Sequence, residues 1–238
     1  MRAAGFGRPL STHDTEDEAR AAADELADHD TDAGQIAEVL DAAAEKVRLR
    51  DGSEVRIRPV VPADRHLFVE GFERFGAESR QARFLGLKKK LTESDLDFLT
   101  QVDHADHEAI GAVDVETGAG VGVARMMRDP QCPGVCSEAA VAVVDEWQGR
   151  GLGGVLLARL VARARELGVE RYLAVLRTDN RAMLTLFQRT GDLHVRDREG
   201  GVTTIEVKLP VDGPDGALGA ALRSAAAGRI EALIESRT

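Results

Sequence analysis

A glycine-rich turn between a strand and a helix constrains this chain more than any other stretch. A β-branched run at 141–144 predicts a strand, and apolar residues recur at helical spacing over 152–167. The turn that joins them is Gln148-Gly149-Arg150-Gly151-Leu152-Gly153. The first turn of a helix has backbone N–H groups without internal partners and a positive dipole end. Because glycines also let the backbone approach a ligand closely, the stretch predicts a phosphate-binding loop.

Three kinds of protein use a loop of this form, and the flanking residues separate them. The P-loop of nucleotide hydrolases needs Lys-Ser or Lys-Thr after its last glycine, whereas Gly154-Val155 follows here. The dinucleotide fingerprint G-x-G-x-x-G is matched by Gly149, Gly151 and Gly154. That fold places the turn near the start of a long βαβ series, and only one further strand–helix unit follows here. A nicotinamide dehydrogenase is therefore a minor alternative, and a turn that merely packs a helix on a sheet is another.

The third pattern is Q-x-x-G-x-G, which Gln148, Gly151 and Gly153 match. On these residues the chain resembles the Gcn5-related N-acetyltransferases (GNAT), whose loop of this form holds the pyrophosphate of acetyl-CoA. The resemblance implies that acetyl-CoA is the co-substrate. It also implies that the loop residues bind it: Gln148, Gly149, Arg150, Gly151, Gly153 and Gly154.

The order of predicted elements resembles the same family. In chain order they are strand 55–58, helices 64–75, 79–84 and 92–101, strands 108–115, 120–127 and 135–144, helix 151–167, strand 172–176, helix 180–189 and a hairpin of 195–198 with 203–209. This is the order of the acetyltransferase fold, over roughly residues 54–209. We therefore expect an α/β (α+β) GNAT fold. Its mixed, mostly antiparallel sheet should splay between the fourth strand, 135–144, and the fifth, 172–176.

Two further stretches resemble the bacterial protein lysine acetyltransferases that modify acyl-CoA synthetases. One runs from Ile57-Arg58-Pro59 to Leu99-Thr100-Gln101-Val102-Asp103, and the other runs from Glu138 into the glycine-rich loop. The resemblance implies a protein acceptor such as an acyl-CoA synthetase, modified on a lysine side chain. Two alternatives stay open: an enzyme that acetylates a small amine, and a coenzyme A-sensing module without turnover.

Glu138 is the candidate general base. A lysine amine with a pKa of about 10.4 is almost fully protonated at neutral pH, and a carboxylate can remove that proton directly or through one water. Glu138 lies ten residues before Gln148, where the resembling lysine acetyltransferases place their base. The resemblance implies direct attack in a ternary complex. The alternative is a strand glutamate that only faces solvent.

The resemblance assigns the remaining contacts of the site. The splayed end of the strand, at Val141 and Val143, is implied to pair with the pantetheine arm and to stabilise the oxyanion. Asn180 matches the family asparagine near the pantetheine and sulfur, although it could equally cap a helix. The family's usual tyrosine acid is replaced by Phe187, which we expect to pack against the cofactor arm or the core. The chain's only tyrosine, Tyr172, falls in a predicted strand.

Charge separates an arm from the rest of the chain. Residues 11–45 hold twelve of the forty-one acidic residues and one basic residue, Arg20, so the arm accounts for the net charge of −10. Its alanine-rich sequence favours helix, and the last predicted helix of the arm reaches Val47. We predict three parts: an acidic helical arm at 1–50, the acetyltransferase domain at 51–210, and an amphipathic C-terminal helix at 211–238 that could form a homodimer. The arm either docks one apolar stripe on the core or binds a partner.

Composition argues against several other classes. There is no basic stripe with interleaved aromatic residues, so we expect no nucleic-acid partner. No apolar run is long enough to span a bilayer and no signal peptide is present, so we expect a cytoplasmic protein. Cys132 and Cys136 are too few for a disulfide framework. We interpret them as unpaired thiols, with a redox-sensitive pair as the alternative, and expect no metal site.

Overall fold

The computed structural model describes residues 40–42, 44–77, 79, 89–130 and 135–210. Within these residues, eight strands form one sheet: β1 Glu45–Arg48, β2 Glu54–Pro59, β3 His107–Asp114, β4 Gly120–Arg128, β5 Cys136–Val143, β6 Arg171–Arg177, β7 Asp192–Glu199 and β8 Val202–Lys208. In the described part of the chain, four complete α-helices pack on it: α1 Arg65–Glu73, α2 Glu93–Thr100, α3 Leu152–Glu166 and α4 Arg181–Gln188. The predicted helix at 79–84 and the C-terminal segment 211–238 lie almost entirely outside the described residues, as do positions 1–39.

The sheet has one feature that positions everything else. Its strand order is β1-β2-β3-β4-β5-β6-β8-β7, and every neighbouring pair is antiparallel except β5 and β6. These two parallel strands pair only from Cys136↔Arg171 to Glu138↔Leu173. Because β5 continues to Val143 and β6 to Arg177, the strands separate after Glu138. The predicted fold class and the predicted splay are therefore both confirmed.

Helices cover the sheet on two faces, and the alternation of each strand decides which residues meet them. Buried residues of β5 and β4, such as Ala139 and Met126, share one apolar core with α3. The helix contributes fully buried leucines to that core: Leu152, Leu156, Leu157 and Leu160. On the opposite face, Arg125 of β4 donates to the main-chain oxygens of Phe98 and Leu99 at the end of α2. These two hydrogen bonds fix α2 to the sheet.

The start of α2 is a capping box of the S/T-x-x-D/E kind, formed by Thr92-Glu93-Ser94-Asp95. The Thr92 hydroxyl accepts a hydrogen bond from the Asp95 N–H at 3.3 Å, and the Asp95 carboxylate accepts from the Thr92 N–H at 2.7 Å. Two otherwise unpaired backbone donors are satisfied in this way. Local chemistry is therefore sufficient to predict where this helix begins.

The predicted helix of the arm is wrong at its C-terminal end. Residues 40–42 are helical, but Glu45–Arg48 form β1, which pairs antiparallel with β2 from Glu45↔Ile57 to Arg48↔Glu54. Pairing with an open sheet edge outweighs the modest helix propensity of these residues. Leu40 is buried, and Asp41 forms ion pairs with Arg56 and Arg58. This end of the arm is thus attached to the core.

Two further observations concern the cysteines and the predicted absence of a membrane span. Cys136 is disulfide-bonded, so its interpretation as an unpaired thiol is wrong, while Cys132 lies outside the described residues. A helix that could span a membrane is absent from the part of the chain that the structure describes.

His107 opens β3 beneath α2 and is held in its neutral form. Its Nε2 lies 3.3 Å from Nη1 of Arg125, and because a guanidinium can only donate, the ring nitrogen accepts. Burial, followed by the positive charge of Arg125, lowers the pKa of His107 from 6.5 to about 4. Protonation would place two cations side by side.

This shift predicts an acid-sensitive fold. Between about pH 6.5 and pH 4 the unfolded chain binds a proton at His107 that the folded chain does not, so the free energy of unfolding should fall as pH decreases through this window. Substituting His107→Gln removes the titration and should flatten this part of the profile. Urea unfolding at pH 7, 5.5 and 4.5 measures the difference. An unchanged slope in the variant would assign the acid sensitivity to other groups.

Candidate active site

The splay opens an extended cleft between β5 and β6. The cleft has a volume of about 1120 Å³ and is bounded by β5, the glycine-rich loop, α3 and α4. Every predicted site residue lines it: Glu138, Val141, Val143, Gln148, Gly149, Arg150, Gly151, Gly153, Gly154, Asn180 and Phe187. Residues separated by up to forty-nine positions in the sequence therefore share one cavity.

The glycine-rich loop has the backbone shape of a phosphate cradle. Gly149 and Gly151 have φ angles of +75° and +96°, which residues with a Cβ rarely adopt. Gly151 is the N-cap of α3, so the first N–H groups of this helix open at the cleft. A Cβ at Gly153 would stand 3.5 Å from Leu186 and 3.8 Å from Val143. The loop thus offers unshielded backbone donors at the positive end of a fifteen-residue helix.

Gln148 and Arg150 support the loop with their side chains. Nε2 of Gln148 lies 3.1 Å from the Val143 carbonyl oxygen and 3.2 Å from Oδ1 of Asp145, which ties the loop to the end of β5. Arg150 donates to the Glu146 carbonyl oxygen, forms a 2.9 Å ion pair with Asp51 and stacks 4.6 Å from the Trp147 ring. Asp145 and Glu146 are engaged as well, because they accept from the Gly76 N–H and from Arg74.

Arg50 is a site residue that the sequence did not reveal. It lies in the turn between β1 and β2, where its N–H donates to the Arg150 carbonyl oxygen at 3.4 Å. Its side chain lines the cleft, and Nε would stand 3.4 Å from a Cβ at Gly151. Among the described residues it forms no ion pair, so its positive charge is available at the phosphate loop. One hundred positions separate it from the loop, and no local pattern connects them.

The open edge of β5 presents main-chain groups to the cleft. The Val144 N–H donates to Val121 on β4, and backbone direction alternates along a strand. Val141 and Val143 therefore turn their N–H and C=O groups away from β4 and toward the splay. The Val143 oxygen is taken by Gln148. The remaining groups can pair with an extended ligand as a neighbouring strand would.

Glu138 stands where the two strands part. It belongs to the last residue pair of β5 and β6, and its side chain is exposed. Cross-strand partners on the same sheet face are Met127 on β4 and Leu173 on β6. A carboxylate thus lies at one end of the cleft and the phosphate loop at the other. Val143 lies five positions after Glu138 on β5, about 17 Å along the extended chain.

The far wall of the cleft carries Asn180 and Phe187. Asn180 caps α4, with its side-chain oxygen accepting from the Met183 N–H at 3.0 Å, which leaves its amide nitrogen for a ligand. Phe187 is fully buried in the core and has no proton to donate. Tyr172 donates to the Leu160 carbonyl oxygen at 2.9 Å, and burial raises its pKa well above the ordinary value. Neither aromatic residue can act as an acid in the cleft.

A mixed sheet that opens between two parallel strands, with a glycine-rich loop at the opening, defines an acetyltransferase fold. Comparison with known proteins agrees, because residues 76–191 match the acetyltransferase (GNAT) family. The chain belongs to this family, which confirms the predicted family and enzyme class.

Three relatives illustrate how far the similarity extends. Acetyltransferase Pat of Mycolicibacterium smegmatis is 35% identical over 164 residues, which are 69% of this chain and 48% of that protein. Acetyltransferase PA5475 of Pseudomonas aeruginosa is 33% identical over 162 residues, covering 66% of this chain and 84% of that protein. The GNAT domain of S. lividans PAT superposes with a TM-score of 0.64 at 29% identity, covering 71% of this chain and 98% of that domain. The chain thus spans about half the length of the first relative.

Gly151→Asp should abolish binding of acetyl-CoA. The substitution places a side chain and a negative charge at the N-terminus of α3, against the phosphates. For the unchanged protein, ligand at one hundred times its Kd should stabilise the fold by about 2.7 kcal/mol, and NAD should not. Thermal unfolding with and without ligand measures this. Gly118→Asp is the matched control, since Gly118 also has a positive φ, +73°, with open space around it. Equal ligand-dependent shifts of the unfolding temperature in both variants would show that the loop is not part of the binding site.

Proposed function

We propose that this chain transfers the acetyl group of acetyl-CoA, the co-substrate of its family, to a lysine side chain of a protein such as an acyl-CoA synthetase. The observation that carries the proposal is the position of Glu138, an exposed carboxylate at the point where β5 and β6 part. It shares one cleft with the phosphate loop. The resemblance of the segments around 57–59 and 99–103 to bacterial protein lysine acetyltransferases supports a protein acceptor.

Different residues of the cleft would bind different parts of the co-substrate. Its phosphates fit the backbone donors of 149–153, with the cation of Arg50 beside them. The Gly154 N–H already donates to the Gly151 carbonyl oxygen at 3.1 Å. The extended arm of the co-substrate would follow the open edge of β5, where Val141 and Val143 offer main-chain groups. That path ends at Glu138, so the thioester would lie near the carboxylate. Asn180 would donate to the arm from the opposite wall.

Glu138 would make the acceptor amine nucleophilic. It removes one proton from the lysine ammonium, directly or through a water, and the neutral nitrogen then attacks the thioester carbon. A C–N bond forms, the C–S bond breaks and the thiolate of coenzyme A departs, while the second proton of the nitrogen passes to solvent. A thiol pKa near 8.5 makes this thiolate a good leaving group. Water can protonate it afterwards, so the replacement of a tyrosine by Phe187 is compatible with turnover.

Acetyl transfer to a panel of purified acyl-CoA synthetases tests the proposal. Protein and labelled acetyl-CoA are incubated with each synthetase, and with a small amine such as lysine amide in parallel. We expect label on a lysine of at least one synthetase, at a kcat/KM well above that for the small amine. Label on the small amine alone would assign the chain to the other enzyme class. Binding of acetyl-CoA with no transfer to any acceptor would indicate a coenzyme A-sensing module.

A further inference from the structure

An exposed strip of side chains leads from α2 across the sheet to Glu138. Cross-strand pairing places His107 beside Met127, and Met127 beside Glu138. Residues directly opposite one another in an antiparallel pair point to the same face of the sheet. Phe98 on α2 extends the row, with its ring centroid 5.0 Å from that of His107. We call Phe98, His107 and Met127 the Phe98 strip.

Two of the three members of the strip are apolar and open to solvent. Phe98 is 46% exposed and Met127 is 39% exposed, although both residue types usually lie in the core. Contiguous exposed apolar side chains mark surfaces that bind another molecule. The Phe98 strip is continuous with the candidate base, so a ligand that occupies it also reaches the reaction site.

Arg125 holds the strip in place from below. It is buried and donates to the carbonyl oxygens of Phe98 and Leu99 at 3.3 and 2.9 Å. Its guanidinium also lies 5.5 Å from the Phe98 ring centroid. The exposed ring is therefore fixed by the sheet and does not depend on the ligand for its position, which lowers the entropy cost of binding.

The strip carries no charge of its own at neutral pH. The pKa of His107 is lowered to about 4, first by burial and then by Arg125, so the imidazole is neutral. Asp103 accepts N–H bonds from three residues of the adjoining turn, including His107. The three side chains of the strip are therefore uncharged, and the exposed carboxylates of Asp103 and Glu138 flank them.

The length of the row indicates what kind of acceptor fits. Neighbouring strands lie about 4.8 Å apart, so Glu138 and His107 are separated by roughly 10 Å. The ring contact to Phe98 adds 5.0 Å, giving about 15 Å in total. An extended polypeptide covers that distance in four or five residues at about 3.3–3.6 Å each. A small amine bound at Glu138 would leave most of the row uncovered.

We infer that the Phe98 strip seats an apolar side chain of the acceptor polypeptide, three to five residues from the acetylated lysine. The inference rests on the proposed protein acceptor, and it adds a sequence preference of the enzyme for that acceptor. The lysine reaches Glu138 while a leucine-sized side chain covers Phe98 and Met127. The strip thus selects among lysines by a neighbour in their sequence, and it takes no part in the chemistry.

A peptide scan tests the inference. Serine- and glycine-rich peptides with one lysine carry a single leucine at each position from five before to five after it, and kcat/KM is measured with acetyl-CoA. We expect a preference of about tenfold for leucine three to five residues from the lysine on one side. Phe98→Ser and Met127→Ser should each reduce it below about threefold while leaving lysine amide turnover unchanged. Val195→Ser, which removes an equally exposed apolar residue on β7, should retain it.

The outcomes separate this inference from the proposed function. The role of the strip is rejected if the peptides are acetylated without any leucine preference. It is also rejected if both serine variants keep the preference. Neither result contradicts the proposed lysine acceptor. Acetylation of lysine amide but of no peptide or protein rejects the proposed acceptor itself. If Phe98→Ser instead converts a dimer into a monomer, or if the preference appears only without residues 211–238, the strip belongs to a second copy or to that segment.

Discussion

Substitution of Glu138 by glutamine is expected to lower kcat by 10²–10⁴-fold, roughly 3–5 kcal/mol of transition-state stabilisation. Glutamine has nearly the same shape but cannot accept the ammonium proton. Because Glu138 lies at the opposite end of the cleft from the phosphate loop, the affinity for acetyl-CoA should be nearly unchanged. Initial rates with a saturating acceptor, together with a binding isotherm for acetyl-CoA, separate the two effects.

Glu146→Gln provides the matched control. Glu146 also lies between β5 and α3, but it is ion-paired with Arg74 at 2.6 Å, so its loss should change kcat by less than about threefold. A Glu138→Gln enzyme that keeps most of its turnover would show that Glu138 is only a strand residue. A large loss in Glu146→Gln with normal acetyl-CoA binding would move the role of base to that carboxylate.

Substitution of Arg163 by methionine is expected to destabilise the fold by about 3–5 kcal/mol. Arg163 on α3 is buried and donates to Oε2 of Glu108 at 3.0 Å and to the His104 carbonyl oxygen at 3.0 Å. Glu108 is completely buried and also contacts Nδ1 of His104 at 2.7 Å. Without Arg163, the charge of Glu108 would lose its principal partner in a site that excludes water. Urea unfolding at pH 7 measures the loss.

An exposed pair gives the comparison for Arg163. Arg48 and Glu54 form a 2.9 Å ion pair with side chains 73% and 41% exposed, so Arg48→Met should cost less than about 1 kcal/mol. The double substitution Arg163→Met with Glu108→Gln should be less destabilising than the two single effects added, because no lone charge stays buried. Similar losses in Arg163→Met and Arg48→Met would contradict this account of the network.

The parts of this molecule that the sequence predicts well are those set by local chemistry. The Gln148–Gly154 loop and the Thr92 capping box depend on residues that are close in the chain. The splay after Glu138 is predicted from the resemblance in element order and not from local chemistry. No local sequence pattern in 135–144 indicates where β6 separates from β5. The side-chain roles assigned to Glu138 and Asn180 stay predictions, because placement in a cleft is not yet evidence of catalysis.

The parts that sequence reasoning missed depend on contacts between distant segments. The strand β1 was predicted as helix because helix propensity is read locally, whereas its pairing with β2 depends on an available sheet edge. Arg50 reaches the phosphate loop only because that pairing brings the turn after β1 to Arg150. The support that Arg150 receives from Asp51 arises in the same way. A stretch assigned to the acidic arm is thus part of the site.

A structure of the ternary complex with coenzyme A and a lysine peptide tests the account most directly. We expect the diphosphate on the backbone N–H groups of 149–153 and the pantetheine arm along Val141 and Val143. The lysine nitrogen should lie within hydrogen-bond reach of the Glu138 carboxylate, directly or through one water. Coenzyme A phosphates bound away from the loop, or a lysine nitrogen separated from Glu138 by other protein groups, would contradict the proposed site.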